Sequence, residues 1–311
     1  MSIINKDIDI TLLKFLEIDD LQNFFQVNKY YYNKIKPLLR NFINFYKNKN
    51  NIRLPTGFKC YIFSKSIIFG KLDVCIYLYN KRKIYDIDES FQLSCKNGHL
   101  DISEWLLRFN PNIHAKSDYA FRLSCENGHL ATSKWLMGFN PNVHAKNDHA
   151  FRSSCENGYL KTAKWLMTHD PDIHAKDDHA LISGCIYGHL KVVKWLMQFD
   201  HDMPRIGECL FIASCDNGNL EVAKWLMRNN TDFYATSNYY FGFCCEYGHL
   251  EMAKWLIRFK PNIHANSDFA GHDHDDSDFA FRLSCKNGHL EVVKWLISLD
   301  PEYELFKNYK Y

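Results

Sequence analysis

Apolar residues recur in the chain at helical spacing inside short segments, and the segments themselves recur on a long beat. In the window 118–147 the apolar positions Leu130, Leu136 and Phe139 predict one helix from about Leu130 to Phe139, and Pro141 forbids its continuation. Just upstream, Phe121 to Glu126 predicts a shorter helix, with Asp118 as its expected N-cap and Gly128 as the left-handed residue that ends it. Helices this short are marginal alone in water, because isolated helices below ~12–15 residues barely form. Stacking on neighbouring copies must hold them.

The copies are plain. Trp105, Trp135, Trp165, Trp195, Trp225 and Trp255 are each 30 residues apart, and Trp295 follows after 40. Gly98, Gly128, Gly158, Gly188, Gly218, Gly248 and Gly288 keep the same beat, as do Cys95, Cys125, Cys155, Cys185, Cys215, Cys245 and Cys285. Phe63, Gly70, Leu72 and Tyr77 occupy the matching offsets in a worn first copy, which makes eight units. The expected architecture is an all-α helix-turn-helix solenoid over residues 56–303, with a distinct segment at 1–50 and a tail at 304–311.

The units resemble ankyrin repeats. Asn-Gly-His-Leu-Glu-Val-Val-Lys-Trp-Leu at 287–296 is similar to that family's second helix, and Pro261-Asn262-Ile263-His264-Ala265 to its closing motif. The units here are three residues shorter than the family's usual 33, with the gap between Ala145, for example, and the next helix. The family's Thr-Pro-Leu-His opening is replaced by forms such as His149-Ala150-Phe151-Arg152, so its capping bonds need a substitute, for which Asp148 is the candidate. Short fingers, the Cys position and the Trp of the second helix resemble the large ankyrin sets of giant DNA viruses of amoebae (mimivirus-like). The resemblance implies a protein-interaction module whose fingers and first helices carry recognition. Finger candidates are Ser117, Asp118, Tyr119, Asn147, Asp148, His149, Asp177, Asp178, His179, Ser237, Asn238 and Tyr239. Another finger carries a ten-residue tandem duplication, Ser267-Asp268-Phe269-Ala270 returning at 277–280.

Residues 4–32 resemble an F-box. Ile8, Leu12, Leu13 and Leu16 would face one way on a first helix, and Leu21, Phe24 and Val27 on a second capped by Asp19 or Asp20. Leu16, Asp20-Leu21, Val27-Asn28-Lys29 and Tyr31-Tyr32 match the family pattern, while Ile4-Asn5 stands for its Leu-Pro and Asp7 for its Glu. That resemblance implies docking to the F-box-binding adaptor of a cullin-type ubiquitin ligase through Ile8, Leu12, Leu16, Leu21, Phe24 and Val27. An amphipathic cap over the open end of the solenoid is the competing reading of the same stripe.

Composition narrows the function. With 38 Lys plus Arg against 36 Asp plus Glu, the net charge of +2 gives no pull toward nucleic acid or an anionic membrane surface. No apolar run has the ~18 residues of a membrane span or the layout of a signal peptide, and 11 cysteines in a long chain fit a reducing compartment. The expected location is cytoplasmic, the host cytoplasm if the chain is viral. The Cys ladder occupies the small buried position of helix one, the Trp ladder is expected to pack between units, and Lys134, Lys164, Lys194, Lys224, Lys254 and Lys294 form a solvated stripe. Nine of 15 histidines follow the repeat, and His272 and His274 cluster in the duplicated finger. No phosphate loop, His-Glu-x-x-His or nucleophile elbow is present, so no catalytic residue, cofactor or metal is assigned. The expected function is that of a non-enzymatic adaptor joining an unidentified target protein to a ubiquitin ligase. The alternative is a plain ankyrin scaffold or decoy.

Overall fold

The computed structural model describes residues 63–81, 85–199, 201–229, 237–265 and 278–306. All belong to one unit, Phe63–Tyr311; the segment 1–50, with Ile8, Leu12, Leu16, Leu21, Phe24 and Val27, lies outside the described residues, as do His272 and His274.

Among the described residues the chain is helical throughout, with no strand. Residues 63–68 are helical and pair with α1 (Leu72–Lys81). Seven further pairs follow: α2 (Ile87–Lys96) with α3 (Leu100–Leu107), α4 (Ala115–Glu126) with α5 (Leu130–Met137), α6 (Ala145–Glu156) with α7 (Leu160–Leu166), α8 (Ala175–Ile186) with α9 (Leu190–Leu196), α10 (Met203–Asp216) with α11 (Leu220–Asn229), α12 (Ser237–Glu246) with α13 (Leu250–Leu256), and α14 (Phe279–Lys286) with α15 (Leu290–Leu299). Each first helix packs on the next first helix and on its own second helix. The periodicity therefore fixes element type and order.

Within a pair, the helix-one stop is a Schellman turn. In the α10–α11 pair the Gly218 amide donates to Cys215 O at 3.0 Å, the Asn219 amide donates to Ser214 O at 2.8 Å, and Gly218 has φ +68°. Helix two stops before the proline does its work. Asn140 is already left-handed at φ 52° and donates to Met137 O at 3.1 Å, one residue ahead of Pro141.

The core is a set of columns running from unit to unit. Phe91, Phe121, Phe151, Phe211, Phe241 and Phe281 are buried, as are Leu106, Leu136, Leu166, Leu196, Leu226, Leu256 and Leu296. Burying one such side chain contributes roughly 1.5–3 kcal/mol, which the isolated pair cannot collect. Cys95 to Cys245 of the ladder are buried free thiols, and Cys285 is half-buried. The tryptophans do bridge units: Phe121 lies 6.3 Å from Trp165 at 64°, and Phe151 lies 6.3 Å from Trp195 at 63°. Only Trp105 is buried, however; the later rings keep an edge in solvent. Lys164 and Lys194 reach over the next unit's Trp195 and Trp225 at 5.9 and 6.0 Å, while Lys224, Lys254 and Lys294 pair with glutamates one turn earlier, in keeping with a solvated stripe.

The side chain after the helix-one glycine, a histidine in most units, acts as a bracket. His99 Nε2 meets Ile68 O at 2.8 Å, His249 Nε2 meets Asp216 O at 2.7 Å, and Asn219 donates from the same place to Cys185 O and Ile186 O at 2.8 and 2.6 Å. Each satisfies carbonyls that the preceding unit's helix one leaves open at its C-terminus.

Candidate partner-binding face

The shortened finger is three consecutive left-handed residues. Lys116, Ser117 and Asp118 have φ of 53°, 59° and 56°, and Lys146 to Asp148 and Lys176 to Asp178 repeat the conformation. A left-handed residue with a side chain costs roughly 1–2 kcal/mol, so three in a row need outside support. The Arg122 guanidinium supplies it from the helix below, donating to Ser117 O at 3.0 Å and Lys116 O at 2.9 Å. Arg152 repeats this on Asn147 O and Lys146 O at 2.8 and 3.1 Å.

Asp118, Asp148 and Asp178 have a different role from the one expected. The Asp118 carboxylate meets His114 Nδ1 at 2.6 Å and accepts from the Asn142 amide of the next unit at 3.0 Å. Asp148 does the same with His144 at 2.7 Å and the Asp172 amide at 3.3 Å. Asp118 and Asp148 are 6% exposed and Asp178 is 0% exposed. They neither cap their own helices nor face a partner, because the left-handed turn points each carboxylate toward the neighbouring unit. Among the described residues, α2, which lacks that turn, has the expected cap, with Asp86 Oδ1 accepting from the Glu89 amide at 2.9 Å.

The other finger candidates lie on or near the surface. Ser117, Asn147, Asp177 and Asn238 are exposed, although Asn238 Oδ1 also accepts from the Asn262 amide at 2.7 Å. Tyr119, His149, His179 and Tyr239 are half-buried, and Ser237 opens α12. Tyr119 lies under Lys116 and Arg122 at 5.9 and 5.2 Å, and Tyr239 packs on Phe243 at 4.4 Å. Burial, followed by the charges of Arg122, Arg152, Lys176 and His179, holds the His149 imidazole below its ordinary value. Its Nδ1 is buried with no hydrogen-bond partner. Adjacent fingers thus present a row of aromatic and cationic groups on the first-helix side. Tyr187 and Tyr247, at the ends of α8 and α12, are exposed by 56% and 47%.

The buried ladder thiols offer no nucleophile. Burial pushes the Cys95, Cys125 and Cys185 thiols up to about 12, far from the lowered values that reactive thiols need. No helix among the described residues is long and apolar enough to cross a membrane.

The arginine support and the position of His201, which meets Asp178 at 3.0 Å, were not evident in the repeat pattern. Arg122 and Arg152 recur one unit apart, which is a usable signal; His201 replaces a framework proline and carries none.

A family model for ankyrin repeats in sets of three copies matches residues 91–177, 121–206, 153–238 and 210–307. No curated protein matches the chain significantly. Ankyrin repeats generally mediate protein–protein interaction, and the matched span covers most of the paired helices: the chain belongs to the ankyrin-repeat family.

Proposed function

We propose that the chain is a protein-interaction adaptor, in which the first-helix side of the solenoid holds a target protein and residues 1–50 link it to a cullin-type ubiquitin ligase. The observation that carries the target-binding half is the row of Tyr119, His149, His179 and Tyr239 beside exposed Ser117, Asn147, Asp177 and Asn238. Such positions combine rigid aromatic contact area with adaptable polar groups, which is the composition of a protein-recognition surface. The ligase half rests on the F-box resemblance of residues 4–32. A scaffold with a simple cap is the alternative, and the two make opposite predictions.

Affinity capture with the intact chain from a eukaryotic lysate tests both halves. The adaptor and cullin are expected with the intact chain and lost on Leu16→Asp, Leu21→Asp or Val27→Asp, each assayed singly. The target is expected to persist in those variants and to be lost on Tyr119→Ala with His149→Ala. A folded chain that recovers neither adaptor nor cullin refutes the ligase link and leaves the scaffold. A target unaffected by the Tyr119 and His149 changes places recognition elsewhere.

A further inference from the structure

We propose that His174, Asp178 and His201 form a binding site for a divalent transition-metal ion, Zn2+ being the best match, where the finger that opens α8 meets the loop between α9 and α10. The ligand atoms of these three side chains lie within 4.8 Å of one another, and they are the one such group of metal-binding type among the described residues.

The repeat pattern shows what is special here. Where other units place Pro111, Pro141, Pro171 and Pro261, this one has His201. Asp118 and Asp148 each receive a backbone amide from the loop that follows the next helix pair, and Asp178 meets a second imidazole there: His201 Nδ1 is 3.0 Å from Asp178 Oδ1. On its other side Asp178 Oδ1 meets His174 Nδ1 at 2.6 Å. A carboxylate that elsewhere serves one histidine thus lies between two.

The His201 ring is held in the orientation a ligand needs. Its Nε2 is 3.0 Å from Leu196 O, a carbonyl that can only accept, so Nε2 carries hydrogen. In the neutral ring Nδ1 is then the lone-pair atom, and it faces a carboxylate oxygen. Two acceptors at that distance need a proton or a metal cation between them, and a metal ion can take the place of the proton that would otherwise make the ring an imidazolium. An imidazole tethered by N–H to a carbonyl and turned by it toward a metal is the usual outer-shell arrangement of a zinc histidine.

Geometry and donor chemistry agree. Bonds of ~2.0–2.2 Å at tetrahedral angles set ligand atoms about 3.4 Å apart, so the separations of 2.6 and 3.0 Å need open by less than an ångström. Two imidazoles with one carboxylate suit zinc and its neighbours, not magnesium or calcium, which prefer all-oxygen sets. The side chains of His201 and Asp178 are 2% and 1% exposed, while that of His174 is 48% exposed. The ion therefore has a solvent route past His174, and a fourth position there for water or a donor from a bound partner. Because Asp178 sits in the finger that opens α8 and His201 in the loop that leads into α10, the metal clamps one finger to the next.

The test uses the full chain, stripped with chelator and dialysed against Zn2+ alone, with bound metal measured by elemental analysis and affinity by competition with a chromophoric chelator. One Zn2+ per chain is expected, with a raised melting temperature. His201→Pro, which restores the residue found at 111, 141, 171 and 261, and His174→Ala should each weaken binding at least ~100-fold. His144→Ala, which alters the equivalent pair without a third ligand, should leave it unchanged. Co2+ in place of Zn2+ should give the visible absorption of a four-coordinate ion, lost in His201→Pro. Should that variant fail to fold, His201→Gln carries the same comparison. The proposal is overturned if the chain retains no Zn2+, if His201 variants that fold bind it as tightly as the parent, or if binding is lost only in His272→Ala with His274→Ala.

Discussion

Substituting Gly218 by Ala separates backbone strain from the contact between units. At φ +68°, an L side chain at 218 costs roughly 1–2 kcal/mol on its own. The added Cβ would also lie 2.6 Å from Nδ1 and 2.9 Å from Cγ of His249, the bracket of the following unit. That ring cannot stay, and displacing it breaks its 2.7 Å bond to Asp216 O, a further ~0.5–1.5 kcal/mol. The expected total is about 2–3 kcal/mol. At Gly288, φ is +76° and nothing lies within 4 Å of the added Cβ, so Gly288→Ala should cost only the ~1–2 kcal/mol of strain. Urea melts followed by circular dichroism measure both. The decisive comparison repeats Gly218→Ala in a His249→Ala background, where the clash is gone and only strain remains. The cycle should give a coupling of about 1 kcal/mol, against the few tenths expected of independent sites. Equal costs in the two backgrounds would show that the histidine bracket is not what couples the units here.

Other expectations are checked by the same melts. Trp165→Ala should cost about 1.5–3 kcal/mol, below the ~3–5 kcal/mol of a fully buried tryptophan, because the ring packs on Phe121 with one edge in solvent; a loss above ~4 kcal/mol would mean a buried ring. Asp148→Ala removes the partner of both His144 and the Asp172 amide and should cost about 1–3 kcal/mol, whereas no loss would remove the carboxylate from the finger's support. Burial, first among the causes, lowers the His129, His149 and His179 imidazoles from 6.5. The unfolded chain therefore takes up protons first, and stability present above pH 6.5 should decline as pH falls through the lowered values. His149→Asn should flatten that decline, and an unchanged slope would contradict it. Deleting residues 271–280 leaves Asp268 in place of Asp278, which meets His264 Nδ1 at 2.6 Å. Cooperative folding should survive, since doubling a loop costs only ~0.6 kcal/mol; its loss would give the insert a structural role.

Much of this architecture was legible from residues that repeat. Gly128 and its equivalents announced left-handed helix stops, the Cys column announced small buried positions, and Trp165 announced contact across units, because each signal depends only on local conformation and spacing. Asp118 shows where such reading stops. As an aspartate just before a helix it has the sequence signature of an N-cap, yet its φ of 56° turns the carboxylate to the Asn142 amide of the following unit. That direction depends on three backbone torsions that Arg122 supports from a distance, and no sequence period encodes them. The recognition face is half legible for the same reason: Ser117 and Asn147 are exposed as expected, while the aspartates beside them face inward. His201 was illegible because it breaks the pattern that made everything else readable.

The buried cysteine column carries a consequence for how the array breathes. Cys95, Cys125, Cys155 and Cys185 have no solvent exposure, and burial raises all four thiols well above neutrality, while Cys209 is exposed. A maleimide reagent should therefore modify Cys209 at once and reach each of the others only when its own unit parts from a neighbour. Since units in such arrays couple mainly to their neighbours and can open separately, the thiols act as a row of independent clocks. Mass spectrometry of the labelled peptides would time the opening of each unit in the intact, unmutated chain and show where along the solenoid the stack first lets go.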